Sequence, residues 1–277
     1  MSSELNPTTT PATITYFTPP PDGARLYRRV NADPKKGELE KNYDGVEKGV
    51  IIENVRGKED SVTLDTAGFQ FFTSPAKHTA FTDDAEIERE YYPESIELIK
   101  KLTGASRVVF FDHNRPGVDG RDPKLRQPVS LAHVDQSTAA SIARVHRHLP
   151  PSDVPSLLKR RFQIINLWRP ISHVALDWPL ALCDYRSVDA KNDILPVALI
   201  YPDREGETLG VKYNPDHRWK YLRGTTPDEL VLIKCFDSIQ DGSVAAFTPH
   251  TGFQDPSTPP DAPLRESVEL RALVFYD

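Results

Sequence analysis

The sequence predicts a mainly β fold with flanking helices, in the form of a double-stranded β-helix, a jelly roll of cupin-like shape. Three observations carry this. Beyond residue 105, short runs rich in Val, Ile, Phe and Trp recur with turn signals between them, the texture of a sandwich or barrel. Twenty-five prolines outnumber fourteen glycines, and because proline lacks a backbone donor, that many imply short elements joined by many loops. Only one stretch, near 83–103, sustains a long helical period.

Residues 1–45 mix Pro, Thr, Asp and Lys without a period, and Pro19-Pro20-Pro21 reads as extended. This segment is expected to be an N-terminal arm, lying over the core or partly disordered, with 46–277 forming a single jelly-roll domain. Val50-Ile51-Ile52, Ser61-Val62-Thr63-Leu64 and Phe69-Gln70-Phe71-Phe72 are β-like runs. The helical insert near 83–103 has Asp83 or Asp84 as cap, an apolar face of Ile87, Tyr91, Ile96, Leu98, Ile99 and Leu102, and Gly104 as its stop. Pro93 is expected to break it in two. Strands follow at 106–112, 129–135, 162–168, 195–201, 230–236, 244–250 and 266–275. A helix from about 136 to 148 is capped by Ser137, and a short one covers 152–160 from Ser152 or Asp153. Tyr213 to Trp219 reads as a turn entering an aromatic strand.

With 277 residues, 38% hydrophobic and 27% charged, the chain describes a soluble globular protein able to bury a substantial core. A net charge of −6 with both signs scattered gives no reason to expect nucleic acid or an anionic membrane as partner. Two cysteines, Cys183 and Cys235, cannot build a disulfide framework or a cysteine-ligated metal cluster and read as buried free thiols. Neither a targeting pattern nor about 18 consecutive apolar residues occurs, so a cytoplasmic protein is expected.

The chemistry concentrates at His133-Val134-Asp135. In a strand, positions i and i+2 share one face about 6–7 Å apart, so His133 and Asp135 can grip one ion together. A third ligand has to come from another strand, and His250, in Thr248-Pro249-His250-Thr251, is positioned for it. Two imidazoles and one carboxylate on one face of an octahedron leave open positions that suit an Fe(II) oxygenase. The triplet alone is equally compatible with a hydrogen-bonded strand histidine beside a turn aspartate. His217 competes with His250, but Pro215 and Arg218-Trp219 mark it as a packing position. His146 and His148 follow a helix and suit its negative C-terminal end. Arg265-Glu266-Ser267 places a carboxylate-binding arginine after the last ligand.

Several blocks, in order, carry a resemblance: Phe111-Asp112-His113-Asn114-Arg115, Ala132 to Ser137, Gln163 to Pro170, Pro179 to Asp184, Tyr213-Asn214-Pro215 with His217-Arg218-Trp219, and Lys234 to Ser238 through Thr248-Pro249-His250-Thr251. From about residue 105 to the end the chain resembles the fungal gibberellin-desaturase-like, aspergillic-acid-type hydroxylase/desaturases, non-haem Fe(II)/2-oxoglutarate-dependent oxygenases. The resemblance implies that His133, Asp135 and His250 hold iron, with 2-oxoglutarate and O2 as co-substrates. It also implies that Arg265, with Ser267, binds the distal carboxylate of 2-oxoglutarate, for which a guanidinium fork is suited. The gap from His250 to Arg265 is longer than usual for such proteins. The Pro-rich insert at 255–263 can loop out the difference, and Arg271 stands as rival. Asn166 and Trp168 alternate onto one strand face, from which Asn166 can reach the co-substrate. His113, Gln163, Trp168, Arg169 and Tyr201 are the pocket candidates.

The implied reaction is oxidative decarboxylation of 2-oxoglutarate coupled to hydroxylation, desaturation or ring closure of a small molecule of secondary metabolism, with an amino-acid-derived substrate among the options. Two other classes compete: a cupin-type metal-dependent hydrolase or isomerase using the same ligands around zinc or manganese, and a non-catalytic jelly-roll binding module.

Overall fold

The computed structural model describes residues 7–30, 39–115 and 130–277. Its strands are β1 (Thr9–Thr18), β2 (Leu26–Arg29), β3 (Asp44–Asn54), β4 (Phe69–Thr73), β5 (Arg107–Asn114), β6 (His133–Val134) and β7 (Phe162–Pro170). They continue as β8 (Leu180–Cys183), β9 (Ile194–Ile200), β10 (Glu205–Val211), β11 (Trp219–Tyr221), β12 (Glu229–Asp237), β13 (His250–Gly252) and β14 (Ser267–Phe275). They form a nine-stranded sheet in the order β1-β3-β11-β8-β13-β6-β10-β9-β2, and a five-stranded sheet in the order β4-β12-β7-β14-β5. This is the expected mainly β jelly roll.

In β7 every residue is buried, because both faces of the small sheet are covered. Phe162, Ile164 and Trp168 project into the core between the sheets with Phe69, Phe71, Val231, Ile233 and Leu273. Ile165 and Leu167 project the other way, into a layer closed by Ile87, Tyr91 and Ile99. Those three belong to the expected helical insert, which has three parts: α1 (Asp84–Glu86), a π-helical turn (Ile87–Tyr91) and α2 (Tyr92–Thr103). Asp83 caps it by accepting from the Glu86 amide, and Gly104 ends it in the left-handed region at φ 73°. Pro93 sits in the first turn of α2 without breaking the insert in two, since the backbone stays helical from Asp84 to Thr103. The π turn lies just before it. Two more helices, α3 (Thr138–His148) and α4 (Val154–Leu157), follow β6; Ser137 caps α3 by accepting from the Ala140 amide.

Where elements differ from expectation, side-chain and backbone partners explain it. Within the stretch read as an arm, β1 pairs along its whole length with β3, and β2 runs parallel to β9, so both edges of the large sheet come from it. Tyr16 of β1 packs in the core and accepts a hydrogen bond from the Trp219 indole at 2.7 Å. Residues 1–6 and 31–38 of that stretch lie outside the described residues, as does residue 129 of the strand expected at 129–135, of which only His133–Val134 is strand. Ser61–Leu64 is not a strand: a 3-10 turn at Glu59–Ser61 leads into a turn closed by the Thr63 and Thr66 hydroxyls. Of the strand expected at 244–250 only His250 is strand, as the first residue of β13, and residues 244–249 are not. Both cysteines are buried free thiols. Among the described residues no helix is long and apolar enough to cross a membrane.

Candidate metal centre

β6 and β13 are neighbours in the large sheet, and His250 is the direct cross-strand partner of His133. Paired residues share a face, so both imidazoles point inward, their ring centroids 4.5 Å apart. The His133 Nδ1–H donates to the Leu131 carbonyl at 2.8 Å, and the His250 Nδ1–H to the Thr248 carbonyl at 3.0 Å. Each ring is thereby fixed with Nε2 free to ligate. Asp135, just beyond β6, brings Oδ1 to 3.4 Å from His133 Nε2 and 4.0 Å from His250 Nε2. Among the described residues this trio is the group of ligating side chains able to share one metal ion. Burial, reinforced by the neighbouring His133, lowers the His250 pKa to about 4 and keeps it a neutral donor.

The other oxygen of Asp135 is held by the small sheet. Asn166 of β7 donates to Oδ2 at 2.7 Å, the Arg271 Nε of β14 lies 3.5 Å away, and the Cys235 thiol of β12 donates at 3.9 Å. Burial opposes the charge on Asp135, but Arg271 and His133 overcome it and hold the carboxyl well below the usual range. Arg271 is committed on three sides, since it also pairs with Asp112 at 3.0 Å and Glu269 at 2.9 Å. Irregularities in strand pairing flank this network. β12 carries a bulge between Lys234 and Phe236, and the β14–β5 ladder shifts register at Arg271, leaving Phe111 unpaired. Bulges of this kind re-aim side chains beside active sites.

Arg265 precedes β14 and is 6% exposed, its guanidinium 5.6 Å from the Trp168 ring centre and one arm donating to the Trp178 carbonyl. Trp178 is the non-glycine residue, among those described, in the left-handed region, at φ 44°. Among the described residues no carboxylate is in ion-pair contact with the guanidinium, its Nε is buried without a partner, and so is the Ser267 hydroxyl. Burial pulls the Arg265 pKa down to about 10. Glu269 is within electrostatic reach both of Arg265 and of His133 and Asp135, so the arginine lies in the same interior as the triad.

A cleft of ≈ 520 Å³ is lined by His133, Asp135 and Arg271 together with Phe17, Leu131 and Tyr201. Gly210, the cross-strand partner of His133, makes room for one of them: a Cβ there would lie 2.6 Å from the Phe17 ring.

Residues 14–275 match the family model described as an oxidoreductase/YMDC permease-like domain. The hydroxylase/desaturase efuI of Hormonema carpetanum is 32% identical over 302 residues, covering 100% of this chain and 98% of its own. The Fe(II)/2-oxoglutarate-dependent dioxygenase nvfI of Aspergillus novofumigatus (strain IBT 16806) is 33% identical over 268 residues, with 94% of each chain covered. Among solved structures, the iron and alpha-ketoglutarate-dependent endoperoxidase NvfI superposes with a TM-score of 0.86 at 30% identity, over 97% of this chain and 98% of that one. The chain belongs to this hydroxylase/desaturase family of Fe(II)/2-oxoglutarate-dependent oxygenases. The hydrolase, isomerase and binding-module readings are not favoured.

In this oxygenase the other expected pocket residues divide. Tyr201 lines the cleft, under the Arg204 guanidinium. Trp168 faces the interior beneath Arg265, and Asn166 bonds Asp135, leaving its own Oδ1 without a partner. Three candidates lie elsewhere. His113 faces the helical layer, bonded to the Tyr92 hydroxyl at 2.8 Å and to Asp84 at 2.9 Å. Gln163 donates to Asp237 and accepts from Tyr276 on the same outer side of β7. Arg169 alternates to that face too, over the Tyr91 ring and donating to the Pro227 carbonyl. His217 is bonded to Asp193 at 3.0 Å and stacked on Tyr16, away from the triad. Sequence reasoning missed Phe17, because the N-terminal segment read as an arm, and Glu269, although its i, i+2 spacing to Arg271 puts both on one strand face.

Proposed function

We propose that His133, Asp135 and His250 hold the iron, that Arg265 and Ser267 bind the distal carboxylate of 2-oxoglutarate, and that the adjoining cleft takes a small molecule of secondary metabolism for hydroxylation, desaturation or oxidative ring closure. The observation that carries this is the convergence of two Nε2 atoms, each locked by a backbone carbonyl, on one carboxylate oxygen. When bound, iron with 2-oxoglutarate and dioxygen supplies the oxidising power to remove hydrogen from the substrate.

The chain's own residues do the rest. A dianionic co-substrate fits the interior because the buried, charged Arg265 makes no ion-pair contact among the described residues, and its own Nε and the Ser267 hydroxyl lack partners. Arg265 is favoured over Arg271, whose guanidinium is already occupied by Asp112, Asp135 and Glu269. Arg271 and Asn166 instead orient the metal-binding carboxylate, acting as positioning residues. Trp168 and the closed sheets keep water from the co-substrate.

Anaerobic titration with Fe(II) and 2-oxoglutarate tests the reading. A visible charge-transfer band is expected, and Arg265→Met should weaken the 2-oxoglutarate dependence of that band at least about tenfold while Fe(II) affinity stays within twofold. Absence of the band in iron-loaded protein overturns the oxygenase assignment, and an unchanged titration in the variant returns the role to Arg271.

A further inference from the structure

The cleft carries six arginines, and four of them are accounted for. Arg25 pairs with Glu205 at 2.7 Å and Glu207 at 3.4 Å, and Arg28 with Glu40 at 3.2 Å. Arg204 pairs with Asp203 at 3.2 Å, and Arg271 holds the carboxylates described above. Arg144 and Arg147 remain. Both line the cleft from α3, and among the described residues neither has an ion-pair partner. At i and i+3 they lie side by side on one helix face.

Arg144 is fixed in place. Its guanidinium sits 4.9 Å from the centre of the Phe111 ring, the residue that the β5 irregularity releases from strand pairing, and that ring also stacks on His148 at 5.2 Å. Burial and the like charge of Arg147 weaken its hold on its proton, and Asp112 offsets them only in part. The same face of α3 presents Ala139, Ala140 and Ala143 to the cleft, leaving space between the arginines and Asp135. Phe17, Leu131 and Leu199 add apolar wall among the polar residues of the cleft.

We propose that the substrate enters as a singly charged carboxylic acid with an apolar body, its carboxylate gripped by Arg144 and Arg147 so that the body extends toward the triad. This rests on the oxygenase reading and adds the substrate class. A carboxylate matches a guanidinium fork bidentately. A phosphate ester would bring close to two charges, while Asp112 already offsets part of the positive charge at Arg144 and Glu205 and Glu207 stand on the cleft wall.

The test uses full-length protein loaded anaerobically with Fe(II) and 2-oxoglutarate. Decanoate, abietate and biphenyl-4-carboxylate are each titrated calorimetrically against their methyl esters, and decanoate against decyl phosphate. At least one acid is expected to bind about tenfold or more tightly than its ester. Arg144→Gln combined with Arg147→Gln should remove that preference, leave ester affinity within twofold, and leave the 2-oxoglutarate charge-transfer titration where it was; Arg144→Lys should retain part of the preference. If no acid is preferred over its ester, or the preference survives in the double variant, the proposal is wrong. Tighter binding of decyl phosphate reassigns the site to phosphate esters and equally overturns it. A double variant that loses 2-oxoglutarate instead shows these arginines to be co-substrate ligands. Failure of the oxygenase reading is separate, showing as no charge-transfer band whatever the acids do.

Discussion

Asp135 divides its two oxygens between two tasks. Oδ1 faces the two imidazoles, while Oδ2 is tied to the small sheet through Asn166, Arg271 and the Cys235 thiol. The carboxylate is thereby fixed in orientation, and around a metal ligand such supporting partners are typically worth about 10–100-fold in metal affinity. Asn166→Leu is therefore expected to weaken Fe(II) binding by about that factor with the fold retained, measured by anaerobic metal titration beside circular dichroism; undiminished affinity would strip Asn166 of the role. The three convergent residues were named from the sequence by the i, i+2 spacing, a late histidine and the family resemblance together, although Asp135 lies just beyond β6 and His250 opens β13 rather than ending a longer strand. The partner of Asn166 was not. Its strand face could be inferred from β7, but which group waits on that face depends on how the second sheet is stacked.

At the scale of elements, His250 rides on a three-residue strand that could not hold its position alone. It is anchored two residues earlier, where the Thr248 hydroxyl donates to the Gly68 carbonyl at 2.6 Å across 180 residues of sequence. Gly68 sits at φ 92°, and a Cβ there would lie 2.4 Å from Thr248 Oγ1 and 2.8 Å from the Phe247 carbonyl oxygen. Gly68→Ala should cost about 1–3 kcal/mol in backbone strain and displace His250, lowering both the thermal midpoint and Fe(II) affinity. A variant with unchanged iron binding would show that the 247–250 segment adapts. Residues 244–249 are not the strand expected there: the Ala245 amide donates to the Asp65 carbonyl and the Thr248 carbonyl accepts from the His250 ring, bonds invisible to alternation patterns. The same blindness applies to β1, whose Thr and Pro residues look like linker although its partner β3 was partly recognised.

Across the whole molecule, stability depends on a buried ionic knot behind the metal centre. Asp237 and Lys234 of β12 are fully buried and 2.8 Å apart, with Arg161 at 2.7 Å and Gln163 donating to the same carboxylate. Burial opposes the Asp237 charge, but Arg161 and Lys234 prevail and its pKa falls below the ordinary carboxylate range. A depressed carboxyl contributes stability that is complete above its unfolded pKa, about 4, and is lost as pH falls through the lower folded value. Asp237→Asn should thus cost about 1–3 kcal/mol near neutrality, because Lys234 and Arg161 keep Asp65 as a partner at 2.8 and 2.7 Å, and the variant should lose less further stability than the parent on acidification below about pH 4; parallel acid curves by denaturant unfolding would refute this. The helix α3 raises a different matter. It starts at Thr138, three residues after Asp135, capped by Ser137, and climbs about 1.5 Å per residue toward Arg144. If the acid is gripped at that height, α3 works as a ruler, and the regiochemistry of oxidation is a count of carbon atoms from the carboxylate. One residue inserted before Arg144 would turn the mark by about 100°, so relatives could change which carbon is attacked without touching the iron.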